Sequence, residues 1–318
     1  MIHTSWFILK PTKESGKLPG RIKPRNKVSP LNSIFNHSER LSLDHRDTIN
    51  GLLANLGHGL SEYCFSNLFL FRDIHHYELL GDSKKFLTGK TYDDHRYLMP
   101  LFNVAEVTPE FLQASLDPFD FYFPIHPSDL VYFPSSLFSG HFNRDDTDYI
   151  FEASKLQSYP GRNLSAKRNL MKQFQERHTF SFSPVSAENK EDALEVLDEW
   201  FSDVGKPVDE TDYHPCVEAL ENMEVLGLFG IIYYTEKEPC GFLLAKENIP
   251  EMCVFHFAKG KRRFKGVFQF MFNHFANQFK NRFTHYNFEQ DLGKENFRRT
   301  KLSYAPDMLV HKYRVSRK

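Results

Sequence analysis

The sequence predicts an α+β protein built on mixed sheet, in two domains joined by a helix. Three observations lead there. The length of 318 residues exceeds the usual ~100–200 of one domain. A helix-forming run, LSAKRNLMKQFQERH at 164–178, follows a Pro160-Gly161 break and carries apolar Leu164, Leu170, Met171 and Phe174 beside a basic face. Beyond it, strand-like alternation and helical periodicity take turns in a legible order.

That order begins with HTFSFSPVS as a strand and NKEDALEVLDEWFSDVG as a helix, apolar at Ala193, Leu194, Leu197, Trp200 and Phe201 and closed by Gly205 and Pro207. TDYHPCVEALENME is a second helix, with Pro215 in its first turn, where a missing N–H costs little. LFGIIYYTEKE, CGFLLAKENIP and EMCVFHFAKGK are three consecutive strands. VFQFMFNHFANQFKNR is a strongly apolar helix, FTHYNFEQD a strand, KENFRRTKLSY a helix and DMLVHKYRVSRK a terminal strand. The series β-α-α-β-β-β-α-β-α-β is that of the GNAT acyltransferase fold.

The N-terminal part is less regular. Seven Lys and Arg before position 30, with Pro11, Pro19, Pro24 and Pro30 among them, make 1–40 an extended, basic, partly mobile lead. From Leu41, DHRDTINGLLANL has helical spacing, and FSNLFLFRDIHHYELL bunches aromatics as strand or short helix. Aromatic alternation across 60–135, with no clear glycine-containing anion turn, suggests a second, degenerate GNAT-like copy that binds no cofactor. The expected divisions are 1–40, 41–153, a linker at 154–177, and 178–318.

Composition excludes some classes. With 41% hydrophobic and 25% charged residues the chain forms a full core. No run approaches the ~18–20 apolar residues of a bilayer-spanning helix, and the start carries no signal-peptide pattern. Cys64, Cys216, Cys240 and Cys253 show no CxxC spacing and read as buried thiols of a cytoplasmic protein. Net charge is −1, but 251–318 holds fifteen Lys and Arg against five Asp and Glu. That excess would face phosphate or simply water.

Several segments resemble a known family. NLSAKRNLMKQFQ, KGKRRFKGVFQFMFNHFA, SEYCFSNLFLFRDI and above all NFEQDLGKENFRRTKLSYAP are similar to the C-terminal domain of phosphatidylglycerol lysyltransferases. The resemblance implies two tandem GNAT-like domains joined by a helix, with activity in the C-terminal copy. It implies an acyl or aminoacyl donor, acyl-CoA or aminoacyl-tRNA, and a small-molecule or lipid amine or hydroxyl acceptor. Peripheral contact with a membrane through the basic lead is compatible with it. A module that binds tRNA, nucleotide or lipid head group without catalysis is the other reading.

Candidate residues follow. KGKRRFKG precedes the apolar helix where GNAT proteins place a pyrophosphate turn, so Arg263, Lys265 and Gly266 are the cofactor-binding candidates, with bulky Phe268 where a small residue is usual. Glu289 and Asp291 end the following strand on one face, positioned to accept a proton from a nucleophilic amine or to hold a cation; Asp291 serves equally as a helix cap. Arg298, Lys301 and Tyr304 share one side of the next helix: Tyr304 to protonate a leaving group, Arg298 and Lys301 to bind phosphate or carboxylate. Lys167 and Arg168 on the linking helix would contact a polyanionic donor or form salt bridges. No metal site is expected: HFNRDDTD at 141–148 reads as a polar turn, and His75, His76 and His214 have no partners at ligand spacing.

Overall fold

The computed structural model describes residues 35, 37–81, 83, 85–236 and 238–318. Nearly all of the expected basic lead therefore lies outside the described residues. The elements run β1 (Ser38–Arg40), α1 (Arg46–Leu53), α2 (Phe65–Leu70), α3 (Arg72–His75), β2 (Glu78–Leu80), β3 (Phe86–Lys90), β4 (Arg96–Pro100), α4 (Pro109–Ser115), β5 (Phe121–Ile125), β6 (Phe138–Phe142), β7 (Asp148–Glu152), α5 (Ala153–Ser158) and α6 (Ser165–Arg177). They continue with β8 (Phe180–Pro184), α7 (Lys190–Val204), α8 (Tyr213–Glu221), α9 (Met223–Leu226), β9 (Phe229–Thr235), β10 (Glu238–Ile249), β11 (Met252–Gly260), α10 (Val267–Gln278), β12 (His285–Asn287), α11 (Glu295–Leu302), β13 (Met308–Val310) and β14 (Tyr313–Arg317).

Two seven-stranded sheets result, in the orders β1-β2-β3-β4-β5-β14-β6 and β8-β9-β10-β11-β12-β7-β13. Each has one parallel pair at the same place, β4 with β5 and β11 with β12, and is antiparallel elsewhere. The two are copies of one plan, the tandem GNAT-like fold.

The copies trade a strand. β7 of the first half sits between β12 and β13, while β14, at the end of the chain, sits between β5 and β6. The expected terminal strand is thus two strands in different sheets, and neither sheet ends at the divisions expected at 153 and 178. Alternation alone cannot show this, because a run of apolar and polar residues fits any sheet of matching polarity.

Local chemistry explains the elements. α7 buries Ala193, Val196, Leu197 and Trp200 on one stripe and stops at Gly205, whose φ of 62° is open to glycine without strain. β10 is buried over Pro239–Ala245 because both faces of its sheet are covered. One apolar core lies between the sheets, joining Phe65, Leu68 and Tyr97 to Trp200, Phe242 and Phe257. A second packs α10, α5 and α6 on the outer face of the second sheet, and a third packs α4 on the first.

Candidate functional site: a cleft between the two repeats

Strand β12 pairs with β11 only from Met252–Val254 against His285–Asn287, and β11 then continues to Gly260 paired with β10 but no longer with β12. The two strands splay, and the chain after Asn287 leaves the sheet. Glu289 takes a φ of 58° and Leu292 one of 55°, left-handed conformations costly for such residues unless held. Lys301 holds them: its Nζ donates to the carbonyl oxygens of Phe288 at 2.6 Å, Glu289 at 3.0 Å and Gln290 at 2.5 Å.

The splay opens onto a cleft whose cavity holds about 70 Å³ and is continuous with solvent. Both parallel pairs contribute to its walls: Tyr97 of β4 and Phe123 of β5 from the first repeat, His256 of β11 and Glu289 from the second. Glu62, Asn67, His75 and Tyr92 complete one side, Asp212 and Gln290 the other.

Glu289 is fixed from both repeats. Its Oε1 accepts from Asn67 Nδ2 at 3.1 Å and lies 2.9 Å from His256 Nδ1. His256 Nε2 meets Ser66 Oγ at 2.9 Å, and Ser66 Oγ meets Cys64 Sγ at 2.9 Å. Burial works against charging His256, but hydrogen bonding to Cys64 and Glu289 outweighs it and raises the imidazole to about 9. The Glu289 side chain thus lies beside an imidazolium, at a partly exposed position in the cleft.

Beneath it, Lys312 Nζ is buried between two carboxylates, Glu62 at 2.6 and 2.8 Å and Asp148 at 2.8 Å, and donates to Gln290 Oε1 at 2.8 Å. Asp148 is also bonded by Ser61 N, Ser61 Oγ and Asn287 Nδ2. Burial pushes Glu62 up to about 7, against the pull of Lys312 and with added repulsion from Asp148. Across the cleft, His75 Nδ1 lies 2.7 Å from the Lys90 carbonyl, which can only accept, so this nitrogen carries the proton. Burial pushes the ring down to about 4, and it stays neutral.

The other sequence candidates sit elsewhere. Asp291 is not on one strand face with Glu289, because β12 ends at Asn287 and the positive φ of Glu289 breaks the alternation. Its buried carboxylate accepts from Arg298 Nε and Nη2 at 2.9 Å each, from Gly293 N at 2.9 Å, from Arg144 at 3.3 Å and from the Tyr149 hydroxyl. Burial alone would raise it, yet Arg298, Tyr149 and Gly293 hold it below the usual carboxylate range. Asp291 and Arg298 therefore anchor the loop under the cleft, and Arg298 also binds Asp145 at 2.6 Å. Tyr304 follows α11 rather than lying on it; it is buried among Phe151, Phe272 and Phe288, accepts from Gln269 at 3.0 Å, and is not among the cleft-lining residues. Lys167 lies over its ring at 4.0 Å, and Arg168 donates to the Tyr159 and Gly161 carbonyls. Both belong to the packing of α6.

The expected pyrophosphate turn is filled. Gly266, with φ 94°, caps α10, but a Cβ there would lie 2.1 Å from the Leu170 carbonyl oxygen, so the glycine admits helix α6 rather than a phosphate. Arg263 is taken by Glu199 at 2.8 Å and Glu238 at 3.0 Å, and buried Lys261 by Glu195 at 2.5 Å, with Glu199 and Glu238 close by. Lys265 is exposed beside them. The acidic stripe of α7 neutralises the basic turn, a long-range pairing that spacing along the chain does not reveal.

Sequence reading missed Glu62, Asn67, His75 and His256. Glu62 and Asn67 lie in the family-like segment SEYCFSNLFLFRDI, and His256 left a signal of its own, as a polar residue inside the apolar strand CVFHFA, where burial demands a partner. The four cysteines are free and buried, as read. No group of His, Cys, Asp or Glu that could hold a metal occurs among the described residues, and no helix among them is long and apolar enough to cross a membrane.

Fold and site together define a tandem GNAT-like protein with its cleft between the repeats. The chain belongs to the phosphatidylglycerol lysyltransferase C-terminal family, whose model matches residues 53–316. Among solved structures it is similar to a conserved protein of unknown function from Bacteroides thetaiotaomicron, at 24% identity and TM-score 0.75 over 88% of this chain and 99% of that one. It is also similar to L-PGS from Bacillus licheniformis, at 14% identity and TM-score 0.59 over 86% and 91%. A third likeness is to the C-terminal domain of a putative lysylphosphatidylglycerol synthetase from Agrobacterium fabrum, at 10% identity and TM-score 0.55 over 86% and 90%. No curated protein matches it by sequence.

Proposed function

We propose that the chain transfers an aminoacyl group from an ester donor to an amine or hydroxyl acceptor in the cleft between the repeats. The observation that carries this reading is Glu289, a carboxylate presented to the cleft at the splay of β11 and β12 and fixed by Asn67 and His256. A nucleophilic amine or hydroxyl must lose a proton as it attacks a carbonyl, and a positioned carboxylate receives it. Family membership supports aminoacyl chemistry. The filled turn supports an aminoacyl-tRNA donor over acyl-CoA: Leu170 packs against Gly266, and Arg263 and Lys261 are already paired with carboxylates, which weakens the turn before α10 as a pyrophosphate site. An aminoacyl-tRNA, whose reactive end is an ester on a ribose, needs no such turn.

A binding screen tests the reading. Lysyl-tRNA, or a short acceptor-stem mimic charged with lysine, should raise the melting temperature, since a ligand at 100 times its dissociation constant stabilises by about 2.7 kcal/mol. Acetyl-CoA should not. Stabilisation by acetyl-CoA that disappears in Arg263→Ala/Lys265→Ala would return the donor to the turn and defeat this assignment.

A further inference from the structure

Transfer from an ester needs a second proton step that Glu289 does not perform: the oxygen that leaves must be protonated. We propose that Glu62 is the acid that protonates the leaving oxygen. The inference rests on the transfer reading above and adds a catalytic residue to it.

Lys312, Glu62 and Asp148 are all buried, and one cation lies against two carboxylates. Keeping both ionised leaves an uncompensated charge in a poorly solvated site, so one carboxyl takes up a proton. Asp148 is bonded by Lys312, by the Ser61 amide and by Asn287 Nδ2, groups that only donate. Glu62 has Lys312 and, at 3.2 Å, the Ser61 hydroxyl, whose single proton lies closer to Asp148 at 3.0 Å. The proton therefore resides on Glu62, the carboxyl with fewer donors. Of the two, Glu62 is the one that lines the cleft, with Glu289 on the same cleft.

The other carboxyl groups of this cleft each face a cationic partner of their own, although burial still pushes Asp146 and Asp212 up. Asp146 is held by Arg314 at 2.8 Å, Asp212 by Lys259 at 2.6 Å and Glu289 by His256 at 2.9 Å. Glu62 differs from them in sharing its one cation, Lys312, with a second buried carboxylate. Glu289 beside His256 and the protonated Glu62 on the same cleft make an arrangement that divides base from acid.

The step balances. Glu289 removes the proton from the acceptor N–H or O–H as its lone pair attacks the ester carbonyl carbon. The new N–C or O–C bond forms, the carbonyl carbon to ribose oxygen bond breaks, and the electron pair on that oxygen takes the proton of Glu62. Glu289 ends protonated and Glu62 ionised beside Lys312, and exchange with solvent restores both. Nothing is oxidised or reduced.

Leaving-group dependence distinguishes this role. Lysine ethyl ester and lysine p-nitrophenyl ester serve as donors with hydroxylamine as acceptor; ethoxide must be protonated to leave, whereas nitrophenoxide leaves as the anion. Glu62→Gln, isosteric with the protonated acid, should slow the ethyl ester by ~10²-fold or more, in the range of a lost general acid, and leave the nitrophenyl ester nearly unchanged. Glu289→Gln should slow both. A second readout is independent of turnover: a protonated-carboxyl infrared band that titrates near neutral pH should be lost in Glu62→Gln and retained in Glu289→Gln. Equal slowing of both esters by Glu62→Gln, or retention of the band, overturns the role of Glu62 and leaves the transfer reading standing. No transfer from either ester by the unaltered protein overturns the transfer reading itself.

Discussion

At the residue scale, His256 is an internal switch of stability whose sign can be worked out. Its folded pKa of about 9 lies above the ordinary value of ~6.5, so the interaction with Glu289 and the Cys64 cluster is fully present below about 6.5 and is lost as pH rises through about 9. Wild-type protein should therefore lose stability on the order of a few kcal/mol between those limits relative to His256→Gln, measured by urea unfolding at a series of pH values. Parallel pH profiles would remove the charged pair from the account. Asp291 gives the opposite sign. Its carboxyl, held low by Arg298, Tyr149 and Gly293 against the effect of burial, contributes above the unfolded pKa and ceases to do so as pH falls through its folded value. Asp291→Asn should be destabilising by about 1–3 kcal/mol at neutral pH, since it removes charge-assisted bonds from Arg298, which keeps Asp145, and from Arg144, which keeps the Tyr149 hydroxyl, and should flatten the acid limb of the stability profile.

At the scale of elements, the turn before α10 shows what a single sequence reveals and what it withholds. The positive φ of Gly266 and the start of α10 are local properties, legible from glycine followed by an apolar helix. The occupant of the space beside that glycine is α6, nearly a hundred residues earlier, and no local pattern specifies it. The same holds for Arg263, whose partners lie on α7 and β10. Element order was legible because periodicity is local, and Glu289 because a carboxylate after a strand in a sheet that splays is a positional signal. Glu62, Asn67 and His75 face the cleft from a different repeat, brought there by packing alone. Gly266→Ala should cost about 1–3 kcal/mol for the positive φ, with a further penalty for the clash against Leu170, read as a lowered denaturation midpoint. A stable, unaltered Gly266→Ala protein would mean that α6 does not seat there.

For the whole molecule, the exchange of β7 and β14 makes the two repeats one structural unit. β14 is an interior strand of the first sheet, bonded to β5 on one side and to the edge strand β6 on the other, with Val315 fully buried. A chain ending at residue 311 would leave two open strand edges and remove Lys312 from the buried carboxylates. It should lose cooperative unfolding throughout, not in the second half alone; an unchanged melting transition would show the repeats to be independent. The same joining places the cleft where both parallel pairs meet, so that a carboxylate from one repeat is set by an asparagine from the other. The claim that this cleft performs the transfer is tested most directly by turnover at saturating lysyl donor, compared between Glu289→Gln and the wild type beside the double variant Arg263→Ala/Lys265→Ala. The account predicts that Glu289→Gln lowers saturated turnover by ~10²–10⁴-fold with donor affinity nearly intact, while the double variant leaves both close to wild type. Unchanged saturated turnover in Glu289→Gln would contradict it.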